Sequence, residues 1–225
     1  MLKKLDSLWK PLIEIFFPLP VLSSAGCYRL KEPFCDRCGQ PYEVKEKSGW
    51  TCFNCSEENC FYDRARAFYQ SRGTVRNAIH SFKYERFFWL RQPLIAWLGE
   101  GYDYFFKSHS YNSLVPVPLF ARRRRWREFN QAAVLAQGLA KKTQLPVLNC
   151  LERSRETETQ THLDRVQRRK NVKDAFRLAK GYEVRDNDYL MIDDVFTTGS
   201  TVNECARVLK EHGARRVDVL TVARG

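Results

Sequence analysis

Apolar residues recur along this chain with two periods. Val75, Ala78, Ile79 and Phe82 fall at i, i+3, i+4 and i+7, and the same one-sided stripe returns in Ala132, Leu135, Ala136, Leu139 and in Val202, Cys205, Ala206, Leu209. Leu90, Leu94, Ile95, Leu98 and Tyr102 make a fourth stripe. Each predicts an amphipathic helix. Between the stripes lie short apolar runs, at 67–70, 114–117, 146–151, 189–193 and 217–222, which predict strands. The 114–117 run is broken by Pro116 and Pro118, and the helix over 200–212 is expected to close at Gly213. Strands alternating with helices predict an α/β fold, a mostly parallel sheet flanked by helices on both faces. Two stretches lack this patterning. Residues 1–26 read as an amphipathic lead-in, and 152–174 as a long polar surface loop, which within a compact domain is usually functional or mobile. No internal repeat is visible.

Composition narrows the class. The chain has 225 residues, 44% of them hydrophobic, which argues against disorder and allows a sizeable core. A net charge of +12 predicts attraction to polyanions or phosphorylated ligands. Four arginines stand together at Arg122–Arg125, and further basic residues follow at Arg165, Arg168, Arg169 and Lys170. No apolar run reaches the roughly 18 uncharged residues of a membrane span. Lys3, Lys4 and Ser24-Ala25-Gly26-Cys27 bear a faint likeness to a secretion signal, but Asp6, Lys10, Glu14 and three prolines interrupt it. A cytoplasmic protein is the expectation.

The most informative stretch runs from the 189–193 strand into the 200–212 helix. Asp193 and Asp194 stand at the strand's end, and Thr197-Thr198-Gly199-Ser200-Thr201 leads into the helix. A helix N-terminus has unsatisfied N–H groups and a dipole that favours an anion. Gly199 permits close backbone approach, and the hydroxyls add donors. The acid pair cannot hold a phosphate, but it can accept hydrogen bonds from sugar hydroxyls beside one.

Six of the eight cysteines lie between Cys27 and Cys60. Cys35-x2-Cys38 and Cys52-x2-Cys55 are separated by thirteen residues, a spacing that predicts a tetrahedral zinc site. With four cysteine ligands there is no open position, so the zinc would be structural, and it would supply folding energy to a small module. Gly39 suits the tight turn after Cys38. Cys27 and Cys60 remain as alternative ligands. The division expected is a lead-in at 1–26, a four-cysteine zinc-ribbon module at 27–62 and the α/β domain at 63–225.

The Asp-Asp-Val-x-Thr-Thr-Gly-x-Thr run closely resembles the 5-phosphoribosyl-1-pyrophosphate (PRPP) motif of type I phosphoribosyltransferases. Several segments sharpen the resemblance. These are the N-terminal zinc ribbon, Phe82-Lys83-Tyr84, Val115-Pro116-Val117-Pro118, Arg127-Glu128-Phe129-Asn130-Gln131, Arg153, Gln160, Arg169 and Asn171. Together they resemble the ComF/GntX family of phosphoribosyltransferase-like proteins, which is tied to competence and DNA uptake. The family usually carries glycine where this chain has Glu128, and small residues where it has Glu85-Arg86-Phe87.

The resemblance implies a type I phosphoribosyltransferase fold. It implies that Asp193 and Asp194 hold the ribose hydroxyls and that Val195 and Thr197–Thr201 line the 5′-phosphate cradle. The 152–174 loop would be a lid over PRPP, with Arg153, Gln160 and Arg169 as its ligand-facing residues and Mg²⁺ accompanying PRPP. Asn130 and Gln131 either cap a helix or reach the ligand. Of the four histidines, only His162, in that loop, invites a test. Three functions follow: a transferase acting on an unspecified acceptor, an accessory protein that binds single-stranded DNA or other uptake proteins, and a PRPP-responsive regulator without turnover.

Overall fold

The structure, a computed structural model, describes residues 26–42, 49–57, 59–85, 87–120, 129–155 and 164–225. Residues 1–25, Arg122–Arg125, Trp126, Arg127, Glu128, Gln160 and His162 lie outside the described residues. After a single helical turn at Phe53–Ser56, and apart from a 3-10 turn at Phe88–Leu90, the elements in chain order are β1 (Arg64–Gln70), α1 (Gly73–Tyr84), α2 (Arg91–Phe105), β2 (Ser113–Pro116), α3 (Gln131–Thr143), β3 (Leu151–Arg153), α4 (Arg165–Val172), β4 (Phe176–Leu178), β5 (Asp188–Phe196), α5 (Ser200–Glu211) and β6 (Arg216–Arg224).

The main sheet has the order β1-β6-β5-β2, and all three pairings are parallel. Beyond β2, Val147 bridges Leu114 in parallel, and Leu114 N–H donates to the Pro146 carbonyl at 2.9 Å. Beyond β1, Arg29 bridges Tyr69 in antiparallel fashion. Both edges are thus partnered.

Burial on both faces explains the unbroken apolar runs. On one side Leu114, Leu190, Ile192 and Leu220 pack against α1, α2 and α3. On the other, Val115, Tyr189, Met191, Val217 and Val219 pack against α5, the β3–β4 pair and the cysteine segment. The helical stripes face the core, the fourth one with Leu94 and Leu98 buried and Ile95 and Tyr102 half-buried. Val75, Ala78, Ile79 and Phe82 are the buried residues of α1, and Val202, Cys205, Ala206 and Leu209 belong to the buried face of α5. The chain leaves α5 through His212 and Gly213, the latter in the left-handed region at φ 93.

β4 falls on no expected strand, and three further elements differ from expectation. The 146–151 strand is divided: its start forms a single bridge beside β2, and its end enters β3, in a separate antiparallel pair with β4. The 152–174 stretch is not loop throughout, because α4 occupies its second half. And β5 does not end at the acid pair but continues through it to Phe196.

Candidate functional site

The acid pair sits where the connections of the sheet diverge. From β5 the chain crosses through α5 to β6, on one side. From β2 it crosses through α3 to the bridge at Val147, on the other. The carboxyl ends of β2 and β5 therefore flank a switch point, the usual crevice for ligands in open α/β sheets.

Because β5 stays extended through Asp193 and Asp194, neighbouring side chains leave the strand on opposite faces. Asp194, 5% exposed, meets α1: its Oδ1 lies 2.8 Å from Lys83 Nζ. Asp193 is half-buried, and its Oδ1 accepts the Asp194 backbone N–H at 2.8 Å. These bonds use one oxygen of each carboxylate. Burial, then the Asp194 charge, push the Asp193 carboxyl up to about 7, against the opposing pull of Lys83 and Arg153. Two adjacent carboxylates so placed repel each other and favour a ligand that donates hydrogen bonds to them.

The loop after β5 is tightly folded. Gly199 adopts φ 79 as the N-cap of α5, and a Cβ there would lie 2.6 Å from the Phe196 ring. Thr198 Oγ1 and Ser200 Oγ are 2.9 Å apart, and the Asn203 N–H donates to the Gly199 carbonyl at 2.8 Å. Thr197 is exposed, Thr198 and Thr201 half-buried, and Ser200 buried. Val195 packs on the core shared with α1–α3. A glycine turn with clustered hydroxyls at a helix N-terminus is an anion cradle in form.

The other expected site residues divide. Arg153, at the end of β3, comes within electrostatic reach of Asp193, and its guanidinium lies 5.1 Å from the Phe176 ring centroid. Asn130 acts as a cap: its Oδ1 accepts the Ala132 N–H at 3.1 Å, while its Nδ2 donates to the Val117 carbonyl at 3.0 Å. It thereby ties the end of β2 to α3. Gln131 is buried. Lys83 is the site residue whose role the sequence did not disclose. Its signal was the Phe82-Lys83-Tyr84 segment at the end of the α1 stripe, but nothing local links it to Asp194.

The four cysteines converge. Their Sγ atoms lie within 4.8 Å of one another. A zinc tetrahedron with Zn–S bonds of about 2.3 Å separates its sulfurs by about 3.8 Å, and Cys38 Sγ and Cys52 Sγ are 3.7 Å apart. The donor set therefore fits zinc. Hydrogen bonds with the Cys38 and Cys55 thiols drive Cys35 far below the usual thiol range, and those two are pushed up in turn. Gly39 takes φ 68 in the first knuckle, where a Cβ would come within 2.8 Å of the Ala65 carbonyl oxygen. Cys60 lies outside the tetrad, 3.7 Å from the Tyr62 hydroxyl. None of the eight cysteines forms a disulfide, and no helix among the described residues is long and apolar enough to cross a membrane.

Residues 130–225 match the phosphoribosyl transferase domain family. Over 211 residues, 89% of each chain, the protein is 30% identical to Competence protein F of Haemophilus influenzae. A stretch of 117 residues is 41% identical to DNA utilization protein YhgH of Salmonella typhimurium, covering 49% of this chain and 48% of that one. Competence protein ComFC of Streptococcus pneumoniae is 27% identical over 159 residues, 71% of this chain and 67% of the relative.

Proposed function

The chain belongs to the ComF family of phosphoribosyltransferase-like proteins, with a type I phosphoribosyltransferase fold, and on that premise we propose that it binds PRPP at the end of β5 and transfers its phosphoribosyl group, in a role connected with DNA uptake. The observation that carries the reading is the juxtaposition of the acid pair, whose Asp194 is held by Lys83, with the hydroxyl-lined Gly199 turn at the switch point. The names of the relatives support the connection with DNA.

In this reading Asp193 and Asp194 accept hydrogen bonds from the ribose 2′- and 3′-hydroxyls, and Val195 and Thr197–Thr201 surround the 5′-phosphate. The bond from ribose C1 to pyrophosphate breaks through a transition state with positive charge on the sugar and negative charge on the leaving group. Fixing the ribose and phosphate aligns C1 with its acceptor. Lys83 pairs with Asp194, and Arg153 adds positive charge near Asp193. Mg²⁺ bound with PRPP would neutralise part of the pyrophosphate charge. Zinc at Cys35, Cys38, Cys52 and Cys55 would be structural. The paired CxxC spacing, which reads as metal before disulfide, supports a cytoplasmic location. The division at 1–26, 27–62 and 63–225 belongs to the same proposal.

The test is turnover. Zinc-loaded protein with PRPP, Mg²⁺ and a panel of nucleobases should release pyrophosphate, and the Asp193→Asn/Asp194→Asn variant should not. PRPP binding without release from any acceptor would replace the transferase by the regulator.

A second reading has its own observation. Tyr84, Phe87 and Phe88 are 44%, 44% and 41% exposed, and the Arg91 guanidinium lies 4.4 Å from the Phe88 ring centroid. Exposed rings beside cations suit base stacking on single-stranded DNA. DNA binding that weakens steeply with salt, and is lost in Phe87→Ala/Phe88→Ala, is its expected signature.

A further inference from the structure

The cysteine tetrad and the phosphate loop are joined through side chains that neither site explains. Arg224, at the end of β6, donates through Nη1 to the Cys38 carbonyl at 2.7 Å and through Nη2 to Gln40 Oε1 at 2.7 Å, and its Nη2 lies 3.6 Å from Cys38 Sγ. The same guanidinium stacks 4.8 Å from the centroid of the Phe196 ring. Tyr62 meets that ring edge-on, with centroids 6.0 Å apart. The other face of the contact is the loop itself, because a Cβ at Gly199 would fall 2.6 Å from Phe196 Cζ. A chain of direct contacts thus runs from the first cysteine knuckle through Arg224 and Phe196 to the Gly199 turn.

A second link enters from the side. Asn203, in the first turn of α5, accepts the Phe61 N–H on its Oδ1 at 2.7 Å and donates from Nδ2 to the Asn59 carbonyl at 2.9 Å. Asn59 and Phe61 belong to the segment that leaves the second knuckle. The module therefore grips the loop below its turn and the helix beside its N-terminus.

We propose that the zinc-ordered knuckles brace the phosphate loop, with Arg224, Phe196 and Asn203 as positioning residues that couple metal binding to phosphate binding. The proposal rests on reading Thr197–Thr201 as the 5′-phosphate cradle. Its logic is that of linked equilibria. Zinc fixes the Cys38 carbonyl, which fixes Arg224 and hence the tilt of Phe196, on which the Gly199 turn rests. Two sites so coupled must influence each other equally, so a phosphate in the loop holds the zinc more tightly. The four-thiolate centre is net negative when metallated, which strengthens its bond from Arg224.

The experiment uses the full zinc-loaded chain with ribose 5-phosphate as the probe. Hydrogen exchange at residues 196–201, ribose 5-phosphate affinity and the rate of zinc loss to a chelator are measured in wild type, Arg224→Ala and Asn203→Ala. Asn203 bonds to the Asn59 carbonyl and the Phe61 N–H rather than to a cysteine of the tetrad, so its variant carries the test if Arg224→Ala loses its metal. In each zinc-retaining variant, loop exchange should accelerate and affinity should fall about ten-fold, inside the roughly 5- to 150-fold span of ordinary couplings. Ribose 5-phosphate should slow zinc loss in wild type and no longer do so in the variants, a reciprocity that mere structural support would not produce. Unchanged loop exchange in zinc-stripped protein and in the variants overturns the brace, whether or not the probe binds. Accelerated exchange in a protein whose wild type binds no ribose 5-phosphate leaves the brace standing and overturns the phosphate reading instead.

Discussion

Asp193 and Asp194 are adjacent in sequence and unequal in chemistry. Asp194 has a cation at 2.8 Å, whereas burial and its neighbour's charge raise Asp193 to about 7. The folded state therefore holds a proton on Asp193 that the unfolded chain releases near pH 4, and this contribution to stability is lost as pH rises from about 4 to about 7. Asp193→Asn should accordingly raise the melting temperature of the ligand-free protein at pH 8 and change it little at pH 4; scanning calorimetry at the two values checks the sign. Gly199 makes the opposite case. Alanine there would have to adopt φ 79 and meet the Phe196 ring, so Gly199→Ala should cost roughly 1–3 kcal/mol of stability, read from denaturant unfolding. At this scale much of the site was legible, because an acid pair and a glycine–hydroxyl turn are local patterns. The Lys83 partnership was not, since it depends on how α1 packs beside β5. Asn130 offered two roles from its position alone, and the bonds to Ala132 and Val117 show it capping.

The helices and central strands follow from apolar spacing because each is buried along a stripe or on both faces. α4 escaped that reading for a physical reason. Val172 is its buried apolar residue and Val166 is 62% exposed, so no stripe exists to be seen. The signal present was a cap. Asp164 Oδ1 accepts the Gln167 N–H at 2.8 Å, and Gln167 Oε1 accepts the Asp164 N–H at 3.0 Å, a reciprocal capping box. Asp164→Ala should cost α4 about 1 kcal/mol and speed amide exchange across its first turn, with exchange in β5 unaffected. The extension of β5 through Asp193–Phe196 has a similar cause. Carboxylates argue against a strand by composition, but ladder bonds to β6 continue to Phe196 and Arg224.

Across the whole molecule, the sheet separates two cores, and the candidate site lies at the rim where they meet. Asp194 faces the helical core through Lys83. Asp193 faces the side that carries α5, Arg153 and, through Phe196 and Arg224, the cysteine tetrad. Alternation of strands and helices made the layered architecture readable, and the CxxC spacing made the tetrad readable. Their mutual packing was not, because Arg224 and Cys38 stand at opposite ends of the chain. The family relationship and the fold leave one claim central, that the carboxyl end of β5 is a PRPP site. Calorimetric titration of PRPP with Mg²⁺ into the zinc-loaded protein, beside the Asp193→Asn/Asp194→Asn variant, tests it most directly. The account predicts saturable one-to-one binding by wild type, with affinity at least about 100-fold weaker in the variant as two hydrogen-bonded carboxylates are lost. No heat of binding from wild type, or equal affinity in both proteins, would contradict it.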